Sequence, residues 1–257
     1  MPKLPKIEEK APAAILALLR NQRPQGDYCF NFRLRHLPRR GNPTTYSGRL
    51  WGTRHESGPL NRIHLFDFQD SPTVITLLLQ SGPHPHVWKL DSNGEPRELR
   101  NSDMFTPLLP QVLYTPFHLL MPFIYWDNWE ALPPKRIKGR PARQFLMLPP
   151  KNYAHIAPKL KAVRMALDAQ FNALLRADML DVSDKPLFSF KVLTFKKVQE
   201  LWIPRSIDLV SSLTRDKTRF KVWAAALNLD LPTEAFTPEG LKHAPPLIPR
   251  ESFDYFP

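Results

Sequence analysis

The sequence has little of two residue types on which many functional sites depend. Its one cysteine, Cys29, can form no disulfide within the chain and no zinc or iron–sulfur site built on several cysteines. Nine glycines among 257 residues leave neither a G-x-G-x-x-G pattern nor a G-x-x-x-x-G-K-[ST] loop. These absences argue against a Rossmann or P-loop nucleotide-binding protein. Cys29 also has no histidine at a useful spacing, so we expect an ordinary cysteine rather than a nucleophile.

Long apolar runs are also missing. The longest, Ala11–Leu19 and Phe117–Trp126, are shorter than the roughly 18–20 residues that a membrane-spanning helix needs. The N-terminal stretch is not a secretory signal as it stands, because Glu8 and Glu9 interrupt it and no apolar run ends in a cleavage site. The chain is therefore expected to be cytoplasmic, or to be a periplasmic protein whose signal has been replaced by Met1.

Proline, in contrast, is abundant, with 29 residues in the chain, roughly twice its usual share of about 5%. The hydrophobic content of 42% and the mean hydropathy of −0.36 are ordinary for a folded protein. We predict a single domain over residues 1–257, with residues 1–11 and 245–257 as extended tails.

The net charge is strongly positive, at +12 with a pI near 9.9. Basic side chains concentrate in residues 33–54 and 135–143. Such a balance favours anionic partners, which include nucleic acid, anionic lipid head groups and acidic proteins. A solvated basic surface explains the charge equally well.

Strand patterns dominate the chain. Residues 28–35 alternate between apolar and basic or polar side chains, which predicts a half-buried strand. Comparable segments separated by short polar turns follow along the chain, among them residues 62–68, 73–80, 135–138 and 162–168. We predict about eleven antiparallel strands in all. Helices are predicted at 13–20 and at Pro116–Met121, where Thr115 is a suitable N-cap. One further helical turn is predicted within residues 232–241. The expected fold class is α+β, dominated by β structure.

Few residues suggest catalysis or metal binding. His84 and His86 lie on one side of a predicted strand and form half of a metal site, with His64 as a third candidate. No carboxylate or cysteine completes that set, so we expect no metal and no cofactor. Asp127 and Glu130 form a candidate acid pair, but they are more readily explained as polar residues within an aromatic segment. We therefore expect a protein without enzymatic activity.

Several strands carry bulky apolar residues on both faces. Within residues 187–197, Phe188, Phe190 and Val192 alternate with a second apolar set. A sheet with one solvated face would show a cleaner alternation. Both faces are therefore covered, or one of them lines a cavity, and the proline-broken segment 117–126 is a natural cover. A plain packed core under a short helix is an equally good explanation.

Five stretches of this sequence resemble outer-membrane lipoprotein-sorting proteins of the LolA/LolB-like superfamily. The first three are residues 18–52, YTPFHLLMPFIYWDNW at 114–129 and KRIKGRPARQFLMLPP at 135–150. The other two are residues 163–181 and 190–209. The last stretch resembles the family's closing hairpin, which ends here in WIPRSIDL. The resemblance is diffuse and contains no chemical signature.

The resemblance covers residues 13–241 and implies a fold and a function. It implies a curved antiparallel sheet that forms an unclosed half-barrel of about eleven strands, with short helices lying in the concave face. The concavity of such proteins holds acyl chains, and the proteins are periplasmic and have no catalytic residues. We therefore expect a carrier for lipoproteins or other acyl ligands in the periplasm, in contact with the outer membrane or another anionic membrane surface.

The residues expected to form this hydrophobic trough come from three strands and from the covering segment. The strand residues are Phe30, Phe32, Leu34, Phe188, Phe190, Val192, Phe220 and Val222, and the covering residues are Leu119, Leu120 and Phe123.

Two alternatives to a carrier remain open. One is a scaffold protein with a closed core and no ligand. The other is a nucleic-acid-binding module, in which basic and aromatic side chains would form a stacking platform. Its candidate residues are Arg33, Arg35 and Arg49 with Phe32, Trp51 and Phe66. Because most of these aromatic residues are expected on the face opposite the arginines, we expect no nucleic-acid partner.

Overall fold

The computed structural model describes residues 10–22, 26–56, 58–67 and 73–256. The helices are α1 (Pro12–Asn21), α2 (Pro116–Leu120) and α3 (Tyr153–Ile156). The strands are β1 (Asp27–Leu37), β2 (Thr44–His55), β3 (Gly58–Asp67), β4 (Thr73–Gln80), β5 (His86–Leu90), β6 (Pro96–Glu98), β7 (Trp129–Ile137), β8 (Arg140–Met147), β9 (Ala162–Asp168), β10 (Leu174–Leu180), β11 (Pro186–Val198), β12 (Leu201–Ser211), β13 (Lys217–Leu229) and β14 (Asp254–Tyr255). Single 3-10 turns occur at 101–105, 122–125, 233–236, 239–242 and 250–252.

All of these strands belong to one antiparallel sheet. The strand order is β6-β5-β4-β3-β2-β1-β13-β12-β11-β10-β9-β8-β7, and β14 pairs with β13 off this path. In the described part of the chain the end strands β6 and β7 do not pair, so the sheet is unclosed. The predicted fold class, a β-dominated α+β fold built on an unclosed antiparallel sheet, is confirmed.

The number of strands and one boundary differ from the prediction. The sheet has 14 strands rather than about eleven, and the last of them, β14, contains only two residues, too few to show a period of their own. Strand β7 begins at Trp129, well before the expected start at residue 135. Its prolines, Pro133 and Pro134, fall at a register shift in an edge strand, where proline costs no ladder hydrogen bond.

The two predicted helices are confirmed, and each has proline in its first turn. Thr115 is the N-cap of helix α2, and its backbone N–H donates a hydrogen bond to Nδ1 of His118 at 3.3 Å. The helix ends at Met121, which has the left-handed backbone conformation (φ 47°). No helix in the described ranges is long and apolar enough to cross a membrane.

The sheet buries apolar residues on both faces. One face, called here the inner face, carries Phe32, Leu34, Phe190 and Val222 and is covered by α1 and by residues 105–126, called here the lid. The apolar residues packed between sheet, α1 and lid form the inner cluster.

The opposite, outer face is covered at one end by residues 229–256, the C-terminal segment. Cys29 and Trp51 pack there against Phe236 and Phe253 of this segment. Arg62, fully buried, holds the segment in place by donating hydrogen bonds to the carbonyl oxygens of Gly240 (3.0 Å) and His243 (2.6 Å).

The expected tails differ in how much of them the structure describes. Residues 1–9 lie outside the described residues. In the C-terminal tail, Phe253 and Phe256 are buried and β14 pairs with β13 at Ala224 and Ala225. This tail is therefore packed against the sheet rather than detached from it.

Candidate ligand cavity

The predicted trough residues all lie in the inner cluster. Phe32, Leu34, Leu120, Phe123, Phe190, Val192 and Val222 are buried there, and Phe30, Leu119, Phe188 and Phe220 are partly buried against them. The alternation of β1 therefore identified the inward-facing residues correctly. The rings of Phe32 and Phe220, on neighbouring strands, lie 4.6 Å apart between their centroids.

The lid fills much of the inner face. Phe117, Phe123 and Trp126 form an aromatic group with centroid separations of 6.1 to 6.5 Å. Phe190, on the sheet below, is only 4% exposed. The inner face is thus not an open trough, and the space that remains beneath the lid is confined to cavities.

One cavity, called here the inner cavity, lies between the sheet and the lid and has a volume of about 160 Å³. Its apolar wall residues are Phe32, Leu34, Leu50, Ile63, Leu65, Leu79, Leu108, Leu119, Met121, Phe190, Ile207 and Phe220. Its polar wall residues are Asn61, Tyr114 and His118. An apolar cavity of about 150 Å³ is large enough to bind benzene, so this space suits part of an apolar ligand.

A second cavity of about 350 Å³, called here the outer cavity, lies beside α1. Its wall includes Gln22 and Arg54, which are exposed, so it reaches the protein surface. The two cavities share Asn61, Leu119 and Met121 as wall residues. These side chains, two of them from the lid, lie between the two cavities.

The polar groups of the inner cavity carry no charge at neutral pH. Burial lowers the pKa of His118 to about 3, so its ring is neutral. Burial also raises the pKa of Tyr114 well above its ordinary value, so its hydroxyl keeps its proton. Asn61 accepts a hydrogen bond from the hydroxyl of Tyr28 at 2.8 Å. None of the described wall residues is a cation or a carboxylate.

Helix α1 fastens the lid to the sheet. Arg20 donates from Nε to the carbonyl oxygen of Ile124 (2.9 Å) and from Nη2 to that of Trp126 (2.8 Å). At the other side of the helix, Asn172 donates from Nδ2 to the carbonyl oxygen of Ile15 at 2.9 Å. The lid is therefore held by two side-chain hydrogen bonds from a single arginine.

Sequence reasoning missed several of these residues. Asn61 continues the inward alternation of Ile63 and Leu65, but the predicted strand began one residue too late to include it. Tyr114 lies just before the predicted helix cap, where no periodicity indicates which way a side chain faces. For Arg20, nothing in the sequence indicates a bond that spans more than a hundred residues.

The candidate metal ligands are not brought together. His84 is exposed, and Nδ1 of His86 lies 2.7 Å from a carboxylate oxygen of Glu98. His64 lies further along the sheet, opposite Thr76, and its pKa is lowered to about 4 by burial and by the nearby Arg62. Within the described residues, no group of three or more His, Cys, Asp or Glu side chains is placed to hold a metal ion.

The remaining catalytic candidates have ordinary surroundings. Asp127 and Glu130 are both exposed, at and just before the start of β7. Cys29 is fully buried on the outer face, and burial raises the pKa of its thiol to about 12. A thiol with such a pKa stays protonated and is a poor nucleophile.

The residues of the alternative stacking platform lie in different environments. Arg33 and Arg35 are exposed on the outer face, whereas Phe32 is buried in the inner cluster. Trp51 shares the face of Arg49, but it is 1% exposed and its Nε1–H donates to the carbonyl oxygen of Pro246. Phe66, on the same strand as His64, is partly buried. Phe32 and Trp51 therefore offer no accessible ring for a base.

No protein-family model and no curated protein matches the chain. Solved structures do match it over most of its length. A domain assigned to outer membrane lipoprotein sorting, from Vibrio parahaemolyticus, is 15% identical and has a TM-score of 0.75, with 89% of this chain and 97% of that one covered. A DUF1329 family protein from Desulfovibrio piger is 12% identical with a TM-score of 0.75, covering 89% of this chain and 96% of that one.

A third solved structure that matches the chain is described as a member of the LolA superfamily. A LolA superfamily protein from Nitrosomonas europaea is 14% identical and has a TM-score of 0.63, with 88% of this chain and 96% of that one covered. At such identities the similarity concerns the fold. It agrees with the unclosed antiparallel sheet and the short helices that cover its inner face. The chain therefore has the fold of the LolA-like, outer-membrane lipoprotein-sorting proteins.

Proposed function

We propose that the protein is a non-enzymatic carrier that binds lipoproteins or other acyl-bearing ligands beneath its lid. The observation that carries this proposal is the inner cavity, about 160 Å³ of space with mostly apolar walls in the centre of the inner cluster. Burying an acyl chain contributes about 0.8 kcal/mol per methylene group, so such a wall binds lipid without specific polar contacts.

Lid movement supplies the room for a longer chain. Leu119 and Met121 separate the inner cavity from the outer cavity. Met121 also joins α2 to the next turn in a left-handed conformation, which is uncommon for a residue with a side chain. Displacing these two side chains would join both cavities into one passage that reaches the surface.

The proposed location is the periplasm, in association with the outer membrane. It is supported by the structural similarity to a domain assigned to outer membrane lipoprotein sorting. In this compartment the partner would be an acylated lipoprotein or a lipid, and the basic surface would favour anionic membranes.

A binding experiment with a cavity-filling variant tests the proposal. Leu119→Trp adds bulk to a residue that lines both cavities. Leu213→Trp adds the same bulk at a position that is 92% exposed and serves as the control. The wild type and Leu213→Trp should bind a fluorescent fatty-acyl probe equally well, and Leu119→Trp should bind it at least about tenfold more weakly.

The same experiment distinguishes the alternatives. A folded wild type that binds no acyl probe would show that the inner face is closed core, as in a scaffold protein. Equal probe binding by all three proteins would place the ligand elsewhere on the surface. Either result would remove the carrier function as proposed here.

A further inference from the structure

The hydroxyl of Tyr114 is buried without a hydrogen-bond partner. Its oxygen is one of three buried side-chain atoms in the described chain that have none, the other two being in Asn172 and Arg205. Tyr114 belongs to the wall of the inner cavity, whereas Asn172 and Arg205 belong to the wall of neither cavity. Buried polar groups in folded proteins nearly always have a partner, so this hydroxyl requires an explanation.

A second hydrogen-bond donor lies in the same wall. Nδ1 of His118 lies 3.3 Å from the backbone nitrogen of Thr115 and 2.8 Å from its hydroxyl oxygen. In the neutral tautomer in which Nδ1 accepts from both groups, the ring proton is on Nε2, which makes this nitrogen a donor. The rings of Tyr114 and His118 are 6.5 Å apart between their centroids. The wall thus contains two donors from neutral side chains.

The charges around the cavity restrict what these donors can bind. The described wall contains no cation, so a carboxylate placed there would lose its hydration without a counter-charge. Asp208 lies near enough to Tyr114 to raise the pKa of its hydroxyl further, but its carboxylate is paired with Arg219 at 2.7 and 2.9 Å. An uncharged acceptor, such as an ester or amide carbonyl, does not incur the cost of burying an unpaired charge.

From this arrangement, and resting on the carrier function proposed above, we propose that the inner cavity takes the carbonyl end of an esterified or amide-linked acyl chain. The hydroxyl of Tyr114 donates to the carbonyl oxygen, and His118 lies beside it in the same wall. The hydrocarbon part of the ligand packs against Phe32, Phe190 and Phe220. The ligand class is therefore acylated molecules rather than free fatty acids.

The test compares three probes of equal chain length: methyl dodecanoate, dodecanoate and dodecane, each competing with a fluorescent acyl probe at pH 8. Tyr114→Phe removes the hydroxyl and keeps the ring. Tyr46→Phe is the matched control, because Tyr46 packs against the inner cluster but does not line the cavity. The wild type and Tyr46→Phe should bind the ester about three- to tenfold more tightly than the hydrocarbon, and more tightly than the carboxylate.

Tyr114→Phe should abolish the preference for the ester and leave hydrocarbon binding unchanged. Its unfolding temperature should not fall, because the lost hydroxyl had no partner in the folded protein. An ester preference that survives in Tyr114→Phe, or a wild type that prefers dodecanoate, would overturn this inference while the carrier function stands. If none of the three compounds displaced the fluorescent probe, the proposed carrier function would be wrong, and so would this inference.

Discussion

Arg20, in the last turn of α1, donates a hydrogen bond from Nε to the carbonyl oxygen of Ile124 in the lid at a distance of 2.9 Å. The same guanidinium reaches the carbonyl oxygen of Trp126 two residues further on. These bonds connect residues more than a hundred positions apart along the chain, and they hold the lid across the outer cavity. If the protein is a carrier as proposed, ligand exchange would require that these bonds break or move with the lid.

Replacing Arg20 should loosen the lid. Arg20→Met keeps most of the aliphatic side chain and removes both hydrogen bonds, and bonds from a charged donor contribute about 1.5–3 kcal/mol each. We expect the acyl probe to dissociate about tenfold faster in stopped-flow fluorescence, together with a lower free energy of unfolding. Arg250→Met, at an exposed position, should change neither. An unchanged dissociation rate in Arg20→Met would show that ligand does not enter past this part of the lid.

Gly48 and Phe32 oppose each other on neighbouring strands, and the Phe32 ring occupies the space that a side chain on Gly48 would need. Gly48→Ala should therefore push the ring out of its place in the cavity wall and destabilise the protein by about 1–3 kcal/mol in urea unfolding.

A second substitution tests whether the loss of stability in Gly48→Ala comes from the clash between the new methyl group and the ring of Phe32. Phe32→Leu shortens the opposing side chain, so the double variant should be more stable than the sum of the two single changes predicts. Strict additivity would mean that the ring and the new methyl group do not meet.

The sequence predicts the parts of this fold that depend on local patterns. Alternation identified Phe30, Phe32 and Leu34 as inward-facing, and the bounds of β4 and β9 match the predicted segments. In a strand with one buried face, apolar and polar side chains alternate along the chain, so the sequence alone shows which residues face inward.

Other features depend on contacts between distant segments. The sequence did not show that the C-terminal segment covers the outer face, because Phe236 and Phe253 lie in short turns without a period. It also did not show that Tyr114 lacks a partner, since a missing hydrogen bond depends on everything packed around the group. The cavity and its polar wall could therefore be found only in three dimensions.

Phe190 tests how far the inner face is closed. If the inner face were an open trough, Phe190→Ala would lower the free energy of unfolding only slightly. The side chain, however, is 4% exposed and packed in the inner cluster. We expect a loss of about 3–5 kcal/mol in urea unfolding. Phe171→Ala, at a residue that is 53% exposed, should change stability by less than about 0.5 kcal/mol. A small loss for Phe190→Ala would mean that the lid leaves this part of the sheet open.

The outer face should bind polyanions only weakly. Arg33 and Lys221 are exposed and oppose each other across β1 and β13, with Arg35 two residues along. The attraction of this cluster for phosphate groups is electrostatic and is screened by salt. Oligonucleotide binding, measured by fluorescence anisotropy, should therefore weaken by orders of magnitude between low and moderate salt. Tyr255, which is 50% exposed, and the partly buried Trp223 line the same pocket as Arg33 and Lys221, so stacking of bases on these rings would show itself as binding that resists salt. Tight binding that resists salt would favour the nucleic-acid alternative over the carrier.

His118 should make the protein less stable in acid. Burial lowers its pKa in the folded state to about 3, whereas in the unfolded chain it is near the usual value of about 6.5. Between these values the unfolded state binds a proton that the folded state does not, so stability is complete above about pH 6.5 and falls as the pH decreases toward 3. Each such histidine contributes a slope of up to about 1.4 kcal/mol per pH unit.

His118→Gln isolates this contribution, because glutamine at the third position of a helix keeps the capping interaction and does not titrate. Urea unfolding of both proteins from pH 7 to pH 4 should show a shallower loss of stability in the variant, by about 1.4 kcal/mol per pH unit below pH 6. The carboxylates and His64, whose pKa is also lowered, are shared by both proteins and cancel in the comparison. Parallel curves would mean that His118 takes up its proton in the folded state, and the wall of the inner cavity would then be charged in mild acid.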